Sequence, residues 1–282
     1  MHAKLKVPDG ISRDMDMEQL YHRSTKNTPI ILMIFLTCSI FLMQSCAIAP
    51  TDDLAETSKP TEAAAFIEAR ARLTAHAVSV QNLENEDVIR ALNAVPRHRF
   101  VPQEFIQKAY DDNALPIGYG QTISQPSLVA YMTELLDLQP GDQVLEVGTG
   151  SGYQAAILAE LGYVDVYSIE IVPELHERAQ GILSELGYSQ VHLLKADGYY
   201  GWPEFAPYDA IIVTAAPDHL PAPLARQLAE DGVMVIPIGP QGFYQTLWKF
   251  VKENGELTAY NMGSVAFVPF TGKAGGVPMP TP

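Results

Sequence analysis

The most constraining feature is short: Val144 to Tyr153 reads VLEVGTGSGY, an apolar run broken by alternating glycines and resumed as a second apolar run, Tyr153 to Leu161. The first run has the length and branched residues of a strand, and the second is long enough for a helix. Glycines at 148, 150 and 152 let the backbone between them turn sharply and approach a ligand without Cβ atoms in the way. A strand, a glycine turn and a helix start put a loop at the carboxyl end of a strand, where open α/β sheets hold their ligands.

The surrounding text repeats this alternation. Helices are expected at Leu128 to Leu138, Pro173 to Leu186 and Pro221 to Ala229. Strands are expected at Gln143 to Val147, Asp165 to Glu170, Val191 to Lys195, Tyr208 to Ala215 and Gly232 to Ile238. Elements alternating at these lengths imply a doubly wound, mostly parallel α/β sheet with helices on both faces. Asn254-Gly255, between Thr246 to Val251 and Leu257 to Tyr260, reads as a hairpin turn, so an antiparallel C-terminal edge is expected. Upstream, Phe66, Ile67, Leu73, Ala77 and Val80 suggest one amphipathic helix; Asn85 could cap a second, carrying Val88, Ile89, Leu92 and Val95 until Pro96 stops it. These form a helical N-terminal preface.

Loop spacing separates two ligand classes. A dinucleotide fingerprint needs G-x-G-x-x-G, and Tyr153 stands where its third glycine belongs. E-x-G-x-G-x-G suits a cofactor lacking a pyrophosphate, with Gly148, Thr149 and Gly150 meeting it through their backbone and Glu146 placing negative charge near a sulfonium. Glu170 closes the second strand of the core, where its carboxylate could accept from both ribose hydroxyls. Asp197-Gly198 follows the third, where the acid could accept from an adenine amine while glycine admits the ring. Each acid alone reads more often as a surface charge than as a ligand; three at consecutive strand ends reverse that and read as a site.

Composition then excludes chemistries. The formal charge of −15 repels a phosphate backbone over most of the surface, so nucleic acid is not expected as a partner. Both cysteines, Cys38 and Cys46, precede the α/β pattern, leaving it no thiolate ligand or nucleophile. The histidines show no pair spaced to bind zinc on one helical face, and no metal is expected.

The N-terminus carries a different signal. Pro29 to Met43 is an almost uncharged apolar run behind His22, Arg23 and Lys26, about the length of a signal-peptide apolar region and short for a span. Leu42 to Cys46 resembles a lipoprotein signal ending in a lipidated cysteine, with Met43 and Gln44 departing from the usual pattern. Residues 1–46 are therefore expected to be a targeting or anchoring segment, 47–60 a linker and 61–282 the catalytic domain. Met15 and Met17 are alternative starts, and a buried helix is the competing reading of the apolar run.

Upstream of the glycine loop stand, in order, VPRHRFVP (Val95 to Pro102), Ala109-Tyr110, LPIG (Leu115 to Gly118) and GQTISQP (Gly120 to Pro126); downstream come APYDAIIVTAAP (Ala206 to Pro217), VIPIG (Val235 to Gly239) and FVPF (Phe267 to Phe270). Together with VLEVGTGSGYQAA, they resemble the protein-L-isoaspartate O-methyltransferases over residues 75–270. The resemblance implies a Rossmann-like class I methyltransferase fold, S-adenosylmethionine as cofactor, and isoaspartyl residues of damaged proteins and peptides as acceptors. Their methyl esters close to succinimides that hydrolyse partly to normal aspartate. It also implies that Ser124, the serine of TIS, is the active-site residue, and that Thr122 and Ile123 edge a lid over the cofactor.

Chemically, an ionised carboxylate is already a nucleophile and a sulfonium already carries a good leaving group, so placement and exclusion of water matter more than a strong base. Ser124 could orient the carboxylate; a turn or helix cap before Pro126 is its bland alternative. His98 and Arg99 read as a solvated turn after Pro96, and Thr214 to Pro217 as a strand mouth touching substrate. Two other functions stay open: a related methyltransferase for another carboxylate or a small molecule, and a membrane-attached binding protein without turnover. Cofactor supply and family place the enzyme in the cytoplasm; Ile30 to Cys46 points equally to export or membrane attachment. Oligomeric state is not legible.

Overall fold

The computed structural model describes residues 62–272 except 241 and 243, so the expected anchor and linker, with Cys46, lie outside the described residues. Two helices lead, α1 (Ala64–Gln81) and α2 (Glu86–Ala94). Asn85 caps α2 as its sequence suggests: its Oδ1 accepts from the backbone N–H groups of Asp87 at 3.0 Å and Val88 at 3.1 Å. The apolar face expected for α1 holds in part, with Leu73 and Ala77 buried. Ile67 and Val80 are each 48% exposed, and Arg70 and Thr74 are buried instead. Arg70 can be buried because Glu62 receives its guanidinium at 2.8 and 3.0 Å while its Nε donates to the Asn93 carbonyl at 2.7 Å.

A small antiparallel hairpin follows, β1 (Leu115–Gly118) with β2 (Gln121–Ile123), then α3 (Pro126–Leu135). The core alternates β3 (Gln143–Val147), α4 (Tyr153–Glu160), β4 (Asp165–Glu170), α5 (Pro173–Leu186), β5 (His192–Lys195), β6 (Tyr208–Val213), α6 (Ala222–Gln227) and β7 (Leu228–Ile238). It closes with the hairpin β8 (Gln245–Glu253) and β9 (Glu256–Val265), turning at Asn254-Gly255. The strand order is β5-β4-β3-β6-β7-β8-β9, parallel through β7 and antiparallel at β8 and β9. The doubly wound sheet and its antiparallel edge match the sequence expectation.

Alternation along each strand splits the core between the two faces. Val144, Ala210, Ile212 and Val235 pack with α2 to α5, whereas Leu145, Val147, Ile211, Val213 and Met234 pack under α6 with Tyr208 and Phe250. Both layers are apolar, which is why the central strands read as nearly unbroken apolar runs.

Two boundaries move. The helix expected to reach Ala229 ends at Gln227, because Leu228, 1% exposed, pairs with Tyr208 and its carbonyl accepts from Lys252 Nζ at 2.6 Å. Cross-strand partners override a local helical pattern there. The helix expected from Leu128 to Leu138 runs earlier, from Pro126 at its first turn, where a missing N–H costs nothing.

The solvated turn expected at His98 and Arg99 holds only for Arg99, which is part exposed and pairs with Glu185 at 2.6 Å. His98 stacks on Phe66 with ring centroids 4.1 Å apart and bonds Tyr110 Oη at 2.8 Å. Burial pushes the His98 ring below its ordinary value, favouring the neutral form.

Candidate active site

Sheet order reverses at β3: the chain moves outward through β4 and β5, then returns to β3's other side as β6. That reversal opens a crevice at the carboxyl ends of β3, β4 and β6. It contains a cleft open to solvent, the usual place for a ligand in such a sheet. Gly148, Thr149, Gly150, Glu146, Glu170 and Gly198 line it, and Thr122, Ile123 and Ser124 face them from β2 and the turn after it.

The glycine loop is built on the sheet. The N–H groups of Gly148 and Thr149 both donate to the Ile169 carbonyl, at 2.9 and 3.1 Å, carrying the β3–β4 ladder into the turn. Gly148 has φ +105°, and a Cβ there would collide with Thr214 Oγ1, which donates to the Gly148 carbonyl at 2.7 Å. Thr214, expected at a strand mouth, lines the cleft and also fastens the loop to the end of β6. A Cβ on Gly198 would collide with the Val147 side chain, so this second glycine is required by close approach.

Glu146 lies on β3 opposite Ser168 of β4 and is fully buried. Its Oε2 accepts from Ser168 Oγ, which lies 2.6 Å from Thr149 Oγ1; its Oε1 has no partner among the described residues. Burial pushes this carboxyl up to about 8, against the pull of the serine bond and with the Glu170 charge adding to the rise. The negative charge expected at Glu146 is therefore conditional, since without a cation beside it the group is mostly protonated at neutral pH.

Glu170 is clamped from within. Its Oε2 accepts from Gly150 N at 2.7 Å and its Oε1 from Val172 N at 2.8 Å, which join the glycine loop to the turn after β4. Burial raises its carboxyl, and those N–H bonds oppose the rise. Each oxygen keeps a second lone pair for a hydroxyl. Asp197, beside the cleft-lining Gly198, also caps the turn that follows: its Oδ1 accepts from Tyr199 N at 3.0 Å and its Oδ2 lies against Gly272.

The far wall is Val268 to Thr271, fixed where Ala216 N donates to the Val268 carbonyl and Phe270 N to the Ala216 carbonyl, both at 2.9 Å. The sequence motif FVPF marked this segment without placing it at the site. Ser168 was missed because its pairing with Glu146 depends on strand register. The wall carrying Ser124 is unlike the sheet side: Arg97, 0% exposed, donates from Nη1 to the Ser124 carbonyl at 2.7 Å. Its position in VPRHRFVP signalled a turn and nothing of this reach.

A cleft combining a glycine loop, a strand-end acid with free lone pairs and an orphaned buried carboxylate oxygen fits an adenosyl sulfonium donor, since that oxygen calls for a donor or a cation. Comparison with known proteins decides the family. The model of the protein-L-isoaspartate(D-aspartate) O-methyltransferase family matches residues 71–275. The chain belongs to this family. A protein-L-isoaspartate O-methyltransferase from Gloeobacter violaceus is 50% identical over 191 residues, covering 68% of this chain and 93% of that protein. One from Opitutus terrae is 51% identical over 215 residues, covering 75% and 92%. Among solved structures, a protein-L-isoaspartate O-methyltransferase superposes with a TM-score of 0.67 at 30% identity, covering 72% of this chain and 66% of that one. A Plasmodium falciparum protein assigned the same activity and solved with S-adenosyl-L-homocysteine shares the fold, with a TM-score of 0.64 at 24% identity, covering 72% and 98%.

Proposed function

We infer that this protein transfers the methyl group of S-adenosylmethionine to the α-carboxylate of L-isoaspartyl residues in damaged proteins, the first step of their repair. The observation that carries the reading is the placement of Ser124 across one cleft from the glycine loop at the sheet's switch point, in a chain of this family. Bound S-adenosylmethionine supplies a methyl group made electrophilic by its sulfonium. On this reading Gly148, Thr149 and Gly150 meet the amino-acid part of the donor, Glu146 answers its positive charge, Glu170 takes the ribose hydroxyls and Asp197-Gly198 the adenine. Thr122 and Ile123 cover it.

Ser124 donates a hydrogen bond to one oxygen of the acceptor carboxylate, leaving the other to attack in line. As the new C–O bond forms, the C–S bond breaks and its electron pair stays on sulfur, so no general base is needed. Orientation in a cleft shielded from water supplies most of the acceleration. Purified protein should transfer labelled methyl to an isoaspartyl peptide and not to its aspartyl twin. Equal labelling of both, or of neither while S-adenosylhomocysteine still binds, would move the reading to a methyltransferase of another acceptor.

The compartment is a separate reading. Among the described residues no helix is long and apolar enough to cross a membrane. A domain tethered through Ile30 to Cys46 would repair proteins at a membrane surface, and one without that tether in the cytoplasm where the donor is made. Cell fractionation with and without Cys46→Ala separates the two: release from the membrane fraction on substitution supports lipid attachment, and an unchanged soluble distribution supports the cytoplasm.

A further inference from the structure

The cleft's acceptor side rests on a buried cation that forms no direct ion pair with a carboxylate among the described residues. Arg97 sits in the short 3-10 turn Arg97–Arg99, and its guanidinium is wholly enclosed. Nε donates to the Ala109 carbonyl at 2.8 Å, Nη2 to the Asn113 carbonyl at 2.9 Å and Nη1 to the Ser124 carbonyl at 2.7 Å. The remaining face of the guanidinium lies 5.2 Å from the ring centroid of Tyr153, the first residue of α4 and part of the cleft wall. Among the described residues no acid lies within ion-pair distance of it. Burial pulls its ordinary value down to about 10, which leaves it charged at neutral pH.

Enclosing a charge without a counter-ion is costly. A planar fork of five N–H donors offers something in return that no apolar residue does, because it fixes several carbonyls at set angles. Two of the three carbonyls belong to the connection preceding β1. The third belongs to Ser124 itself. Asp112 holds the next residues, its Oδ2 accepting from Gln125 Nε2 and its Oδ1 from Ser127 N, both at 2.9 Å. The peptide plane leaving Ser124 is thus pinned at its oxygen by Arg97 and just downstream by Asp112, and that plane sets the direction in which the serine side chain leaves the backbone.

We propose that Arg97 is a positioning residue for methyl transfer: by tying the Ser124 carbonyl to those of Ala109 and Asn113, it aims the serine hydroxyl at the acceptor carboxylate. It acts through Ser124 and touches neither substrate nor donor. This rests on the isoaspartyl reading of Ser124. It predicts that loosening the fork costs turnover and spares the cofactor, whose hold comes from β3 and β4.

The test is a double-mutant cycle with four proteins: wild type, R97K, S124A and R97K/S124A, each read for S-adenosylhomocysteine affinity, and for kcat and KM on an isoaspartyl peptide. Lysine keeps the charge and loses the fork. In the wild-type background R97K should lower kcat roughly 10- to 100-fold and no more than S124A does, as expected for a misplaced serine hydroxyl, with cofactor affinity moving less than about threefold. In the S124A background it should lower kcat less than about threefold, since the group it aims is gone. Equal losses in both backgrounds, or a fall in cofactor affinity matching the fall in kcat, would show that Arg97 only holds the fold and overturn the proposal. R97Q, which keeps one donor arm and drops the charge, is the second variant; failure of both variants to bind S-adenosylhomocysteine would overturn it too. Wild-type protein inert on the peptide would instead sink the isoaspartyl reading, and the role of Arg97 with it.

Discussion

The two walls of the cleft are held by different means. On the cofactor side, the glycine loop continues the sheet's own hydrogen-bond ladder: Gly148 and Thr149 donate to Ile169, Gly150 to Glu170, and Thr214 to the loop from β6. On the opposite side, the turn carrying Ser124, the proposed acceptor-binding residue, belongs to no central strand and is fixed by the side chains of Arg97 and Asp112. Ladder bonds are rigid and repeated, whereas side-chain anchors are few and individually decisive. The difference teaches that cofactor binding and turnover should fail separately.

The severest break is expected on the sheet side. Gly148→Ala forces a side chain onto a backbone at φ +105° and into Thr214, costs of about 1–3 kcal/mol each, so the loop must shift. Titration with S-adenosylhomocysteine should show affinity lost on the order of 10³-fold, the middle of what the two costs together give, and near-normal binding would mean that loop closeness does not hold the ligand. Glu170→Ala orphans the N–H groups of Gly150 and Val172 at about 1–3 kcal/mol each. Cofactor affinity should fall on the order of 10²-fold, with kcat at saturation changed far less. A parallel loss of kcat would erase the distinction between the walls.

Ser124→Ala tests the other wall. It removes one hydrogen bond to a charged acceptor, about 1.5–3 kcal/mol, so kcat should fall roughly 10- to 100-fold while S-adenosylhomocysteine binds as before. A change confined to cofactor affinity would exchange the roles of the two sides.

Smaller effects sharpen the contrast. Glu146 is raised from its ordinary 4.5 to about 8 in the folded protein, so between those values the native state keeps a proton that the unfolded chain has released. Its contribution to stability is therefore full below about pH 4.5 and declines as pH rises toward 8, with a slope of at most about 1.4 kcal/mol per pH unit. Chemical denaturation of ligand-free protein across that range should show the decline, and Glu146→Gln should flatten it; an unchanged slope would place the titration elsewhere. Smallest of all, Asn85→Ala should cost about 1 kcal/mol in thermal unfolding through the lost cap of α2 and leave both kcat and cofactor affinity alone. Any effect on turnover would tie the preface's far end to the site.

Legibility in the sequence follows the range of the interactions. The limits of β3, β4 and α5 could be read residue by residue, because each rests on a local pattern bounded by glycine, proline or acid. The α1 face could be read only in part: Arg70 is buried by Glu62 and by a carbonyl on α2, and those partners outweigh the apolar spacing that pointed to Ile67 and Val80. The site divides the same way. Gly148, Thr149, Gly150, Glu146, Glu170, Gly198 and Thr214 were legible as strand-end residues, while Ser168, Thr271 and Arg97 acquire their places only through register and long-range contact. Asp197 shows the converse, a legible strand-end acid whose carboxylate caps the next turn and lies against Gly272.

By itself the sequence determined the alternating α/β order, the glycine turn at the first core strand and the motif order that marks the family, because strand and helix periodicities and turn residues act over a few neighbours. Tertiary structure alone decided that Glu146 is an enclosed, proton-holding group, that Glu170, read as an acceptor for ribose hydroxyls, also clamps the glycine loop, and that a turn in the preface reaches across to Ser124. Burial and hydrogen-bond partnership depend on what the rest of the chain brings alongside, and no local pattern encodes it.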